Sequence, residues 1–267
     1  MVKKLFSWTY IAIVLAFIYL PIAFIIVYSF TTSKVIGTWS GFSFELYHDL
    51  FFGAESEKIL SALKNTVVLG LSASIISTFL GTCGAIGIYN LKTKMQRALT
   101  AVNQIPILNA DIVTGISLLL LFVFLGIDRG FATVLLCHVS FCTPYVMLNV
   151  MPRLEAMDNS TYYAALDLGA TPLQALFKVV IPDILPGMLS GFILAFTLSI
   201  DDFVITVFNN GAFQTLSTFI YADAKKGGLT PSLRALSTLI FVIVLTLLLA
   251  VNISSAKQSK ELKEGKK

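Results

Sequence analysis

Three carboxylates lie inside apolar runs of this 267-residue chain: Asp111, Asp201 and Asp202. An ionised side chain in hydrocarbon costs roughly 2.5–3.5 kcal/mol even on the lenient insertion scale, so each one needs a reason. Read as part of a continuous helix, Asp111 stands roughly 21 Å beyond Arg97, and Asp201 roughly 24 Å beyond Leu185. Both depths fall in the outer part of a roughly 30 Å hydrocarbon core. Two helices would then present acid at one level, where a solute entering from outside arrives. Asp201 and Asp202 diverge by about 100° on a helix, so one of the two faces a pore. Adjacent carboxylates disfavour each other's charge unless a cation compensates. No Lys or Arg lies in the apolar runs, which leaves a cationic solute as the counter-charge. Pro106, with Asn103, Gln104 and Asn109 around it, is expected to break the run before Asp111, and broken helices at membrane depth line protein or water. Three other uses suit the same residues. Ser199 to Asp202 can cap a helix restart, Asp111 can cap a helix after Pro106, and acids at depth can relay protons.

Other chemistry is poorly supported. Cys137 and His138 with Cys142 resemble a metal cluster but lack a fourth ligand, so no metal is expected. His138 reads as a satisfied core residue. No Ser/His/Asp pairing is evident in the apolar runs, so no catalytic residue is assigned. The chain has no G-x-x-x-x-G-K-[ST] phosphate loop.

The elements that must position these acids follow from composition. Apolar residues make up 56% of the chain and charged ones 13%, and mean hydropathy is +0.84. That is about half the usual charge and excludes both disorder and an ordinary water-soluble globule. Six stretches are long enough to span as helices: residues 8–30, 65–90, 98–127, 130–151, 184–208 and 235–256. The expected fold is an all-α polytopic membrane protein with one permease domain, residues 8–256. Residues 1–7 precede it and a basic tail, 257–267, follows. The first span is too long for a signal-peptide core and reads as a retained helix. Alternate flanks carry twelve and seven of the nineteen Lys/Arg, which puts the twelve, and both termini, in the cytoplasm. The five tail lysines suit anionic lipid rather than nucleic acid. The external loop 31–64 interleaves aromatics with acids, Tyr47 among them, and reads as an interfacial helix or a docking surface. The small residues Ser77, Gly81, Gly84 and Gly87 read as close helix packing.

The cytoplasmic loop 152–183 carries the most specific pattern. Asn159 or Ser160 can cap a short helix bearing Tyr163, Ala164, Ala165, Leu166 and Asp167. Gly169 supplies the left-handed position that ends it, followed by Ala170. Thr171 and Pro172 start a second helix with Leu173, Leu176, Phe177 and Val180 at helical spacing, which Pro182 is expected to end. This arrangement resembles the EAA loop of MetI-like ABC-importer permeases: Glu-Ala-Ala, three residues, Gly, nine residues, Ile-x-Leu-Pro. Ala164, Ala165, Gly169, Val179, Ile181 and Pro182 stand in register, with Tyr163 in the place of the usual Glu. The resemblance implies that this loop docks on a cytoplasmic ATPase and receives its motion. The permease itself would hydrolyse nothing and hold no cofactor, while ATP and Mg²⁺ would sit on the ATPase.

A second resemblance runs nearly end to end. Phe196-Thr197-Leu198-Ser199-Ile200-Asp201-Asp202-Phe203-Val204 and Asp111-Ile112-Val113 are similar to signatures of the PotC-type spermidine/putrescine permeases. It implies a multi-pass protein of the bacterial cell (inner) membrane. It also implies a PotB-type second permease, a pair of ATPase subunits and an external polyamine-binding protein as partners. Asp111, Asp201, Asp202, Ser199 and Tyr47 would then serve polyamine passage, with Tyr28 and Tyr47 suited to cation–π contact. The rival readings are a permease for another small cation, a proton-coupled secondary transporter and an intramembrane enzyme.

Overall fold

The computed structural model describes residues 2–33, 35 and 37–246. Twelve helices and no strand occur among the described residues: α1 (Val2–Tyr28), α2 (Glu45–Phe52), α3 (Ser56–Tyr89), α4 (Thr93–Leu108), α5 (Asp111–Phe124), α6 (Phe131–Ala156), α7 (Asn159–Asp167), α8 (Pro172–Ala175), α9 (Ile181–Asp201), α10 (Val204–Asn209), α11 (Leu216–Lys225) and α12 (Ser232–Thr246). Four of these have the length and composition to cross a membrane, taking α8 and α9 as one, and the bent pair α4–α5 makes a fifth. The expected sixth span, 235–256, is apolar helix as far as Thr246, and its remainder and the tail 257–267 lie outside the described residues.

The chain divides into two compact units. One comprises residues 1–60 and 223–267. Here the Arg234 guanidinium donates to the carbonyls of Tyr28 (3.3 Å) and Ser33 (3.0 Å), tying the start of α12 to the end of α1. Phe30 stacks on Phe42 at 5.5 Å. Leu46 and Leu50 bury one face of α2, so a helix does form in the loop read as interfacial.

The other unit, residues 61–222, carries the acids and the loop. Its core is the seam of α6 on α9, where Cys142, Val146, Val150 and Leu154 meet Ile184 and Ala195, with Ala85 of α3 alongside. Glycines set the spacing. A Cβ on Gly81 would stand 2.8 Å from Val146, and one on Gly187 would stand 2.8 Å from the Asn149 carbonyl. Lipid gives helices little hydrophobic reason to associate, so close backbone approach must hold them. Ser77 and Gly84 also pack, on Val139 and Met147, whereas Gly87 meets nothing within 4 Å.

Three expectations are corrected here. The break expected before Asp111 is present, as a 99° bend between α4 and α5, but it does not fall at Pro106. Pro106 lies within α4, and the break falls at Asn109 and Ala110, both extended. The Asn109 side chain donates to Thr114 Oγ1 across the bend at 3.0 Å. The depth drawn for Asp111 from a straight helix therefore does not stand. Secondly, the fifth span does not run on to residue 208: α9 stops at Asp201, and α10 begins at Val204. Thirdly, Pro182 does not end the loop's second helix. The helix widens into a π-helical turn at Leu176–Val180, where the Ile181 N–H reaches the Leu176 carbonyl, and continues as α9. Proline has no N–H to give and crowds the carbonyl four residues back, and the wider turn absorbs both.

Candidate functional site

Both acidic positions mark helix ends. Asp111 is exposed in the first turn of α5, where a carboxylate is favoured by the positive end of the helix dipole. Asp201 is the exposed last residue of α9. The two elements are joined through α10. A Cβ on Gly115, one turn into α5, would stand 3.2 Å from the Ile205 Cα, and Asn209 Nδ2 donates to the Gly115 carbonyl at 3.1 Å.

Asp202 points the other way, with its side chain 6% exposed. Oδ1 accepts the Ile205 N–H at 3.2 Å, and Oδ2 accepts the Thr206 N–H at 2.9 Å and its hydroxyl at 2.6 Å. The carboxylate thus caps α10, satisfying N–H groups that the helix leaves open. His138, fully buried on α6, completes the cluster. Its Nδ1 lies 2.6 Å from Ser199 Oγ, and its Nε2 lies 2.9 Å from Thr206 Oγ1 and 3.4 Å from Asp202 Oδ2.

His138 is the satisfied core residue expected, but the partners are new. A Ser/His/Asp grouping does exist within the apolar runs, contrary to the sequence reading. It forms because α9 breaks at Asp202 and lets α10 fold back on α6. Ser199 is 3% exposed and His138 not at all, so the serine oxygen has no approach for a substrate. The acid pair also does not wait for a cation: Asp202 already has three N–H or O–H donors and an imidazole. Thr206 and His138 were missed as site residues. The signal was present in Thr206 and Asn209, polar at the fourth and seventh positions after Asp202 in an apolar run. No group of three His, Cys, Asp or Glu able to hold a metal occurs among the described residues.

Tyr47 belongs to the other unit, on α2, where its hydroxyl bonds Ser29 Oγ at 2.8 Å and its ring packs on Phe30. Tyr28, at the end of α1, meets Trp39 edge-on at 6.2 Å.

The loop is a helix–turn–helix built almost wholly from local signals. The cap of α7 is Asp158, one residue before those expected, because its carboxylate accepts the Ser160 N–H (2.9 Å) and hydroxyl (2.7 Å). Those hydrogen bonds hold the Asp158 carboxyl below the usual carboxylate range. Gly169 turns the chain at φ +89°, and its N–H and that of Ala170 bond the Leu166 and Ala165 carbonyls. Thr171 and Gln174 then form a reciprocal capping box with Pro172 in the first turn. Tyr163, Leu168 and Leu173 are 62%, 91% and 67% exposed. Beside them lies an open groove of about 320 Å³ lined by Tyr89, Asn159, Tyr162, Tyr163, Leu173 and Leu176. Asn159 Nδ2 donates to Tyr89 Oη at 3.1 Å, tying the loop to the end of α3.

Comparison with known proteins is consistent along the chain. Residues 77–262 match the family described as binding-protein-dependent transport system inner membrane component. The PotC spermidine/putrescine transport permease of Haemophilus influenzae is 33% identical over 92% of this chain and 95% of its own. The PotI putrescine transport permease of Escherichia coli is 35% identical over 87% and 85%. Among solved structures, a bacterial ABC transporter importing the polysaccharide alginate aligns with a TM-score of 0.66 at 14% identity, covering 95% of both chains. That likeness carries the fold.

Proposed function

The chain belongs to the family of binding-protein-dependent transport system inner membrane components, and we propose that it is a permease subunit of an ATP-driven importer of spermidine or putrescine. The observation that carries the substrate is the 33–35% identity to two permeases named for those polyamines, over 87–92% of the chain. The chemistry agrees, since exposed carboxylates at the ends of α5 and α9 suit a flexible polycation. A charge pair at 4 Å is worth about 4 kcal/mol at an effective dielectric near 20. One or two such contacts lower the barrier to passage without trapping the solute.

In this reading the chain forms half of the pathway and crosses the membrane six times with both termini in the cytoplasm. Asp111 and Asp201 face the solute, Ser199 and Asp202 support them from behind, and Tyr47 and Tyr28 offer aromatic faces on the external side. The loop from Tyr163, Ala164, Ala165, Leu166 and Asp167 through Gly169, Ala170 and Pro172 docks on the ATPase, and Pro182 with its π-helical turn joins that loop to α9. The partners are a PotB-type permease, two ATPase subunits that bind ATP and Mg²⁺, and an external polyamine-binding protein. Lipid surrounds the spans.

The test is uptake of labelled spermidine and putrescine into cells lacking their own importer. This chain is co-expressed with its neighbouring permease, ATPase and binding-protein genes, with and without Gly169→Asp. ATP-dependent uptake that Gly169→Asp abolishes is the expected result. Uptake that survives ATP depletion but collapses with the proton gradient would overturn the importer reading. No polyamine uptake from a complex that assembles and hydrolyses ATP would move the substrate to another cation.

A further inference from the structure

We infer that His138 is a positioning residue: by bonding both sides of the break between α9 and α10, it fixes the direction in which Asp201 leaves α9. The transport consequence rests on the function proposed above; the geometric claim does not.

The break needs a cause. Asp202 keeps its own N–H in α9, bonded to the Leu198 carbonyl at 3.1 Å, but its backbone is extended at ψ 127°. An apolar run would ordinarily continue as helix here. What replaces continuation is the Asp202 carboxylate on the first N–H groups of α10, together with the Ser217 hydroxyl on the Asp202 carbonyl at 3.1 Å. A carboxylate so little exposed holds its charge only if its lone pairs are occupied. The Thr206 hydroxyl has one proton and gives it to Oδ2, so it accepts from His138 Nε2–H. Nδ1 is then the acceptor for the Ser199 hydroxyl. This tautomer follows from the network, and every polar group in the cluster is satisfied by it.

The two ring nitrogens hold different helices. Ser199 is in the last turn of α9, and Thr206 is in the first turn of α10. Turning α9 about its axis pulls Ser199 off Nδ1, and turning α10 pulls Thr206 off Nε2. Either motion strands a buried polar group. Asp201 follows Ser199 by two residues, about 200° around the helix. Anchoring Ser199 inward therefore holds Asp201 outward, and capping with Asp202 stops the helix before another residue can take that face. Phe141 packs edge-on against the ring at 5.3 Å.

The experiment uses the assembled importer in proteoliposomes, in a Cys83→Ala background that leaves only the two buried cysteines. Asp201→Cys is added, and its rate of modification by a charged, membrane-impermeant methanethiosulfonate is measured. The expected change is about tenfold with His138→Leu and about threefold with Ser199→Ala, and His138→Asn, whose amide oxygen can replace Nδ1, recovers most of the original rate. With Asp201 intact, His138→Leu raises KM for polyamine about tenfold while the maximal rate falls less than about threefold. If His138→Leu prevents assembly, Ser199→Ala and His138→Asn carry the comparison. Labelling rates within about twofold across all variants, or no labelling in the unaltered background, overturn the inference. Labelling that changes as expected in an importer that moves no polyamine leaves the positioning role standing and overturns only the substrate.

Discussion

The chain reverses or interrupts a helix at two places that matter, and it does so by opposite means. At Gly169 the turn is exposed and local. A glycine in the left-handed region, an aspartate cap before it and a threonine capping box after it lie within seventeen residues of sequence, Asp158 to Gln174. At Asp202 the break is buried and assembled from afar. Asp202 relies on Thr206 four residues on, Ser217 fifteen residues on and His138 from a different helix. A turn made of local signals keeps its shape without help from a partner, which suits the ATPase-docking role proposed for it. A break made of long-range contacts holds only while α6, α9, α10 and α11 stay in register, which suits the pathway role proposed above.

The strongest way to break this comparison is to remove the buried carboxylate. Asp202→Ala strips three donors of their acceptor and leaves His138 without its charged neighbour. Removing one partner of a buried charged cluster costs about 3–5 kcal/mol. We expect the assembled complex to lose most of its thermal resistance, read as the fraction surviving a heating step by size-exclusion chromatography. Survival equal to that of the native complex would mean that the break is held by packing alone. Thr206→Val is the gentler form. It removes one hydroxyl that both accepts from His138 and donates to Asp202, and should cost about 1.5–3 kcal/mol by the same measurement.

The loop should respond in the reverse pattern. Nothing lies within 4 Å of a Cβ on Gly169, so Gly169→Ala meets only the backbone penalty of its positive φ, about 1–2 kcal/mol. Thermal resistance should fall less than in Asp202→Ala, while ATP-driven uptake falls by at least about tenfold if the loop docks on the ATPase as proposed, since a misaimed helix would then waste the nucleotide cycle. A Gly169→Ala complex as fragile as Asp202→Ala but fully active would invert the comparison. Thr171→Ala removes one cap and should cost about 1 kcal/mol, with a correspondingly small loss of uptake.

The same contrast explains what was legible beforehand. The helical class, the loop and its glycine turn, and the packing role of Gly81 follow from signals that neighbours in sequence carry. The position of the first cap was off by one, since Asp158, Asn159 and Ser160 all suit a cap and only the carboxylate's reach to the Ser160 N–H chooses among them. Pro182 misled because a proline breaks a helix by rule, and the π-helical turn that rescues it depends on the packing of Val180 and Ile184 in the α6 seam. A break before Asp111 and a cap at Asp202 were both readable, but the place and size of the bend and the histidine behind the cap were not. Those depend on which helix arrives from elsewhere, and an aspartate in an apolar run looks the same whether it faces a solute or a histidine.

The smallest expected effect tests the local side of the comparison at its most exposed point. Ser160's hydroxyl and N–H hold the Asp158 carboxyl below its ordinary range in the folded loop. A depressed folded value means that its stabilisation is fully present above the unfolded value and is lost as pH falls through the folded one. Solvent screens the group, so the loss is small and confined to α7. Amide exchange at Ser160 and Thr161 should therefore accelerate, relative to α9 in the same protein, only as the pH drops below the usual carboxylate range. In Asp158→Asn, which keeps a side-chain acceptor but no titrating group, that relative acceleration should disappear. If it persisted, the pH response would have to enter the loop from outside it, and the claim that this turn carries its own geometry would fail.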